Sequence, residues 1–190
     1  MHEYKNEIAA HLPSIHHPSY MTLIDAAMLY AMIRYHRPAT YLEVGSGTST
    51  KIAAAAIEDS DTHTPIISID PQPRAEVDAI CSKVYRCGLE EVDQSLFDSL
   101  RPNDILFVDG SHSCFMNSDV TVFFLEILPR LRPRVIICMI YGCQRITPRS
   151  GQRTTGMSNT FWAHTYWANR LCKSYSPLTM SAKSLSFGYY

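Results

Sequence analysis

The chain has 190 residues, with 17 Lys+Arg and 18 Asp+Glu, a formal net charge of −1. That length fits one domain with a real core, and 46% hydrophobic content excludes global disorder. No apolar run reaches the roughly 18–20 residues of a membrane span, and the leading MHEYKNEIAAHLPSIHHP lacks the apolar stretch of a signal peptide.

Residues 21–36 predict a helix, with Leu23, Ala27, Tyr30 and Arg34 on successive turns. Pro38 ends it. Residues 41–44 predict a strand that runs into Gly45-Ser-Gly-Thr-Ser49, and the Ala-rich stretch 50–57 predicts a helix. A second buried strand is expected over 66–70, closed by Pro71-Gln-Pro73. Residues 74–82 can be helical, 84–86 a short third strand and 92–100 a helix. Residues 105–109 read as the fourth strand, 117–131 as an amphipathic helix and 135–137 as the start of a fifth strand.

Strands that are continuous apolar runs, alternating with helices, mark a parallel sheet covered on both faces. The expected fold is therefore a doubly wound, mostly parallel α/β sheet. Ligands on such sheets sit at the carboxyl ends of the strands. Three acids stand there: Glu43, Asp70 and Asp109. Gly45 and Gly47 let the first turn bend tightly and let a ligand approach the backbone. A dinucleotide fingerprint would place Gly or Ala where Thr50 stands. Glu43, two residues before the first Gly, would repel phosphate and suit a cationic group. Asp70 lies 23 residues after Gly47, where an acid can accept both hydroxyls of a ribose. Asp109-Gly-Ser-His112 closes the fourth strand, where substrate or metal would meet the cofactor. The plainer alternatives are a turn or cap role for Asp109 and a solvated loop for His112. Asp119 reads as a surface helix residue.

The E-x-G-x-G turn followed by a ribose-binding acid resembles the class I S-adenosylmethionine (SAM)-dependent methyltransferases. The segments YLEVGSGTST, IISIDPQPRAEVD, LFDSLRPNDILFVDGSH and NSDVTVFFLEILPRL are similar to the small-molecule and sugar O-methyltransferase group. The resemblance implies a Rossmann-like domain over residues 1–137 and methyl transfer to a small-molecule acceptor. It places Gly45, Ser46 and Gly47 against the methionine part of SAM, with Glu43 helping to hold the amino group through water or backbone. Asp70 would take the ribose, Leu89 would lie near the adenine, and Asp109 would sit beside the sulfonium and the acceptor. Asp109 and His112 are the catalytic candidates, and Asp109 is the candidate ligand of a divalent metal such as Mg. A SAM- or nucleotide-binding module without catalysis is the alternative. An NAD-dependent oxidoreductase is disfavoured by Thr50 and Glu43.

The resemblance stops after Ile137. All 18 acids lie at or before Glu126; residues 138–190 hold 6 basic residues and no acid, where an average chain would carry about six acids. Residues 1–137 hold 11 basic and 18 acidic residues. They offer no basic stripe, so nucleic-acid binding has no electrostatic support. The six Cys form no C-x-x-C pair, which fits reduced thiols and a cytoplasmic protein without a zinc site. Reading the tail from the third base of the Cys138 codon explains the seam. Met139 has one codon and every Ile codon begins AT, so that frame must encode His or Tyr followed by Asp. Permitted codons continue it as His-Asp-Ile-Trp-Leu-Pro-Ala-Asp-Tyr-Pro-Pro-Glu-Trp, the kind of segment the resemblance leads one to expect after the fifth strand. The expectation is a one-base slip near 137–139, with C-terminal strands missing or disordered, an exposed sheet edge and weakened or absent catalysis. A divergent basic interaction arm is the competing explanation.

Overall fold

A computed structural model describes residues 4–15, 21–144 and 157–165. Helix α1 (Lys5–Ile15) leads into α2 (Leu23–His36), β1 (Tyr41–Val44), α3 (Thr48–Asp59), β2 (Ile66–Ile69), β3 (Lys83–Tyr85), the one-turn α4 (Ser95–Asp98), β4 (Ile105–Val108), the one-turn α5 (Asp119–Val122), β5 (Ile136–Gln144) and β6 (Met157–Thr165). The sheet order is β3-β2-β1-β4-β5-β6. Strands β1 to β5 run parallel and β6 is antiparallel to β5. This is the expected Rossmann-like order, and the chain reverses direction of growth between β1 and β4.

Alternation along the strands builds two cores. Tyr41, Ile105 and Phe107 pack with Tyr30, Ile33 and Ile52 of α2 and α3 on one face. Leu42, Val44, Leu106 and Val108 pack with Phe97, Phe123 and Ile127 on the other. Helix α2 begins where the Thr22 hydroxyl accepts the Asp25 N–H at 3.2 Å. It ends where the N–H of Arg37, at φ 45°, reaches Ile33 O before Pro38. Helix α1 has no counterpart in the sequence reading. It is tied down by polar contacts: Glu7 to Arg34 at 3.1 Å and His11 to Asp59 at 3.0 Å.

Three expected helices are shorter or irregular. Over 74–82 only Asp78–Ile80 winds, as a 3₁₀ turn. Arg74 N–H is committed to Ser46 O, and Asp78 pairs with Arg86. Over 92–100 only α4 is helical, preceded by a 3₁₀ turn at Leu89–Glu91. Asp93 accepts the Ser95 N–H at 2.9 Å and restarts the chain there. Over 117–131, α5 passes into a π segment (Phe123–Ile127) and a 3₁₀ turn (Leu128–Arg130). Pro129 lacks the N–H that would continue the α ladder.

The largest departure follows the seam. The sequence reading left β5 with no neighbour beyond it, yet β6 pairs along its whole length, Ile136 with Thr165 through Gln144 with Met157. Residues 157–165 include Thr160, Phe161, Trp162 and Thr165, types that favour strands. Strand β4 likewise keeps both partners, β1 and β5.

Candidate functional site

The carboxyl ends of β1, β2 and β4 converge on a cleft of about 410 Å³. That volume lies within the roughly 300–1,000 Å³ usual for small-molecule sites. Gly45, Ser46, Gly47, Asp70, Leu89 and Asp109 all line it. Gly45 sits at φ +82°, where only glycine is comfortable, and its N–H donates to Ile69 O at 2.9 Å. A Cβ added there would lie 2.0 Å from the Asp109 carbonyl oxygen. The first and fourth strand ends therefore touch through a missing side chain.

Asp70 is held by its neighbours. One carboxylate oxygen accepts the Ser46 N–H at 2.6 Å and the other the Gln72 N–H at 2.8 Å. Lone pairs on both oxygens remain for further donors. Ser46 Oγ meets Ser68 Oγ at 2.6 Å, and Arg86 donates to Ser68 Oγ at 3.0 Å and to Asp70 O at 3.1 Å. Arg86, unnoticed in the sequence beyond its place at the end of β3, thus braces Asp70 from behind.

Glu43 is buried and does not line the cleft. Its carboxyl accepts the Thr50 hydroxyl at 2.5 Å and the Tyr41 hydroxyl at 3.3 Å, and Thr50 Oγ1 in turn accepts the Gly47 N–H at 2.9 Å. Glu43 acts on the glycine turn through Thr50, the residue that occupies the third glycine position of a dinucleotide fingerprint. Burial pushes this carboxyl up to about 8; bonds from Ser49, Thr50 and Tyr41 pull it down and the Asp109 charge pushes it up. The group therefore stays protonated in the fold while it ionises in the unfolded chain, between about 4.5 and about 8. The unfolded state binds fewer protons in that window, so stability falls as pH rises through it. Glu43→Gln is expected to remove this slope, on the order of a few kcal/mol, while keeping an acceptor for Thr50. Urea midpoints measured from pH 5 to 9 check it; parallel wild-type and variant curves would refute the assignment.

Asp109 and His112 meet directly, with Nε2 3.2 Å from Oδ1. The bond to Asp109 raises the pKa of His112, and burial opposes it. His112, at φ 55°, lines a smaller adjoining cavity of about 160 Å³ with Val108, Phe123, Phe124 and Met139. Asp119 is more than the surface residue its sequence suggests. It lines both cavities, and its carboxylate accepts the Ser111 N–H and hydroxyl, each at 2.5 Å. The Ser118 N-cap before it was the available signal, since a capped helix start aims its first side chains at the preceding loop.

The donor set suits an amino-acyl nucleoside: a carboxylate at the β2 end, glycines in the β1 turn and an apolar Leu89 after β3. It does not suit a metal. Among the described residues no three His, Cys, Asp or Glu converge on one point, and the Asp109 carboxylate is engaged by His112. No helix among the described residues is long and apolar enough to cross a membrane.

A switch-point cleft in this strand order defines a Rossmann-like α/β domain. The sequence matches the model of the methyltransferase-domain family over residues 42–139, just over half of the chain, and the chain belongs to that family. Among solved structures it is similar in fold to an S-adenosylhomocysteine (SAH)-bound methyltransferase from Podospora anserina, PaMTH1 (16% identity, TM-score 0.46, 70% of this chain and 61% of that one). A second is the O-methyltransferase TomG of tomaymycin synthesis from Streptomyces achromogenes, solved with SAM (18%, 0.45, 63% and 56%). A third is an O-methyltransferase from Bacillus cereus with SAH (16%, 0.43, 72% and 62%). The chain thus spans less than two thirds of the length of each of the three. No curated protein matches the sequence significantly.

Proposed function

We propose that this chain binds SAM in the switch-point cleft and derives from a methyltransferase acting on a hydroxyl of a small molecule. One observation carries the reading: the glycine turn, Asp70, Leu89 and Asp109, picked out from sequence, line a single cleft. SAM supplies a methyl group on a sulfonium. Asp70 accepts the ribose hydroxyls, and the turn from Gly45 to Gly47 brings backbone close to the methionine part. Leu89, buried, offers an apolar surface to the adenine. Asp109 places negative charge beside the cationic centre, and its bond to His112 raises that imidazole's proton affinity. His112 is then the group to receive the acceptor's hydroxyl proton. Holding acceptor and methyl in line carries much of the rate. A divalent metal at Asp109 would need ligands from outside the described residues. We place the protein in the cytoplasm, with a small-molecule substrate as its partner.

The alternative, binding without turnover, draws on the tail. No acid follows Glu126 to work beside Asp109 from the fifth strand. We propose that residues 138–190 are a misread frame appended to an incomplete domain over 1–137.

Calorimetric titration with SAH and NADH tests the binding reading. SAH is expected to bind, and NADH binding without SAH binding would overturn it. Asp70→Ala should weaken SAH at least about tenfold, given charged hydrogen bonds of about 1.5–3 kcal/mol; an unchanged affinity removes the ribose assignment. SAH production from SAM with hydroxylated acceptors then separates enzyme from binding module.

A further inference from the structure

A second cavity, of about 160 Å³, adjoins the cleft. Val44, Leu89, Gly110 and Asp119 line both, so the two spaces meet where β4 ends, at the glycine after Asp109. The rest of its wall is His112 with Val108, Val120, Phe123, Phe124 and Met139. Val108 and Phe123 are buried and held in the core with Phe97 and Ile127. Phe124 stands edge to face with Phe123, 5.2 Å between ring centroids. Of the described residues lining this cavity, only Met139 follows Ile137, so its walls are set almost entirely before the seam.

Size restricts the guest. An apolar cavity of about 150 Å³ takes up one benzene ring; fused rings and disaccharides exceed it. Polarity restricts it further. His112 and Asp119 are the polar side chains among the described lining residues. Asp119 already accepts the Ser111 N–H and hydroxyl at 2.5 Å each and the Val120 N–H at 2.9 Å. A monosaccharide would bring several hydroxyls against this wall, and each one buried without a partner costs about tenfold in affinity. A phenol brings one. It is also the more acidic hydroxyl, with a pKa of about 10 like that of tyrosine, within reach of an imidazole whose proton affinity the Asp109 bond raises. The rim is apolar as well: Phe115 lines the cleft and is 62% exposed, and Met116 beside it is 92% exposed.

We propose that this cavity is the acceptor subsite and that it takes a single-ring phenol, its ring against Val108, Phe123 and Phe124 and its hydroxyl toward His112. This rests on the SAM reading and names its acceptor. The phenolic oxygen bonds to the methyl carbon as the carbon–sulfur bond breaks; the electron pair stays on sulfur, giving SAH, and the phenolic proton passes to His112. The test is ligand-detected NMR titration of the full chain, saturated with SAH, with phenol and with methyl β-glucopyranoside. Wild type should prefer phenol by at least about tenfold. Val120 is half-buried and does not line the cleft. Val120→Phe, which fills the cavity, should therefore weaken phenol at least about tenfold and leave SAH affinity unchanged. Phe124→Ala, at a position 37% exposed, should weaken phenol about two- to tenfold and carries the test should Val120→Phe melt early. Phenol bound equally by wild type and both variants, no preference over the glucoside, or no phenol binding at all overturns the proposal, while SAH binding leaves the SAM reading standing. If wild type does not bind SAH, both fall.

Discussion

Gly45→Ala is expected to collapse the sheet's switch point and abolish SAH binding together. Two costs act at once. A left-handed backbone costs a non-glycine residue about 1–2 kcal/mol. The added Cβ would also stand 2.0 Å from the Asp109 carbonyl oxygen and 2.9 Å from its carbon. That neighbour is backbone and cannot swing aside. It is pinned by the Asp109 N–H bond to Val44 O at 2.8 Å. Relief requires parting β1 from β4 at their carboxyl ends, where Val44 pairs with Val108. The loss should reach at least about 3–4 kcal/mol, a large share of the about 5–15 kcal/mol that holds a domain together. Gly88→Ala is the matched control. Its backbone is extended, at φ −66°, and the atoms nearest the added Cβ would be those of the Glu90 carboxylate end, which can rotate away. It should cost less than about 1 kcal/mol. Urea unfolding followed by circular dichroism, with SAH titration of each folded variant, gives both readings. Equal stability of Gly45→Ala and wild type would mean that the β1 turn does not take this shape.

The strands were legible because buried parallel strands write themselves as apolar runs. Residues 41–44, 66–69 and 105–108 need no context to be read that way. The acids were legible for the same reason, since Asp70 and Asp109 follow such runs and Glu43 stands one residue before the end of one. Roles were harder. Glu43 and Asp70 look alike in sequence, yet Glu43 points to the face that carries Tyr41 and Phe107, while Asp70 falls past the end of β2 into the cleft. One step along a strand reverses the face, so an error of one residue in the strand's end changes an anchor into a ligand contact. The failures over 74–82 and 92–100 share a cause. Local propensity favoured helix there, and bonds made by Arg74 N–H to Ser46 and by Asp93 to Ser95 committed the backbone otherwise. Arg86 was missed because a single arginine after a strand has no sequence signature. Only the strand order, β3 beside β2 beside β1, places it behind Asp70.

If residues 138–190 are a misread frame, inserting one base before codon 138 is expected to raise methyl transfer. The new frame would put His or Tyr in place of Met139 and Asp in place of Ile140. In the sheet, Met139 pairs with Val108, the residue before Asp109. Neighbouring strands lie about 4.8 Å apart, so the new pair would arrive beside Asp109 at the carboxyl edge. Met139 already lines the small cavity shared with His112 and Asp119; an imidazole there would face the acceptor side of the cleft. General acid–base help of this kind is worth about 10²–10⁴-fold. SAH released from SAM with phenolic and sugar acceptors should therefore rise at least about a hundredfold over the present chain. SAH affinity should change little, since Gly45, Asp70 and Asp109 all precede the insertion. The charge seam should also close, because the shifted frame restores acids to a segment that now has none. A gene whose verified reading gives the present tail, together with turnover by the present chain that the insertion abolishes, would refute the slip. Residues 138–144 and 157–165 would then be native strand, most of β5 and the β6 that pairs with it. Deleting 138–190 should in that case destabilise the sheet, because β4 would lose the β5 pairing of Phe107 with Cys138 and of Val108 with Met139.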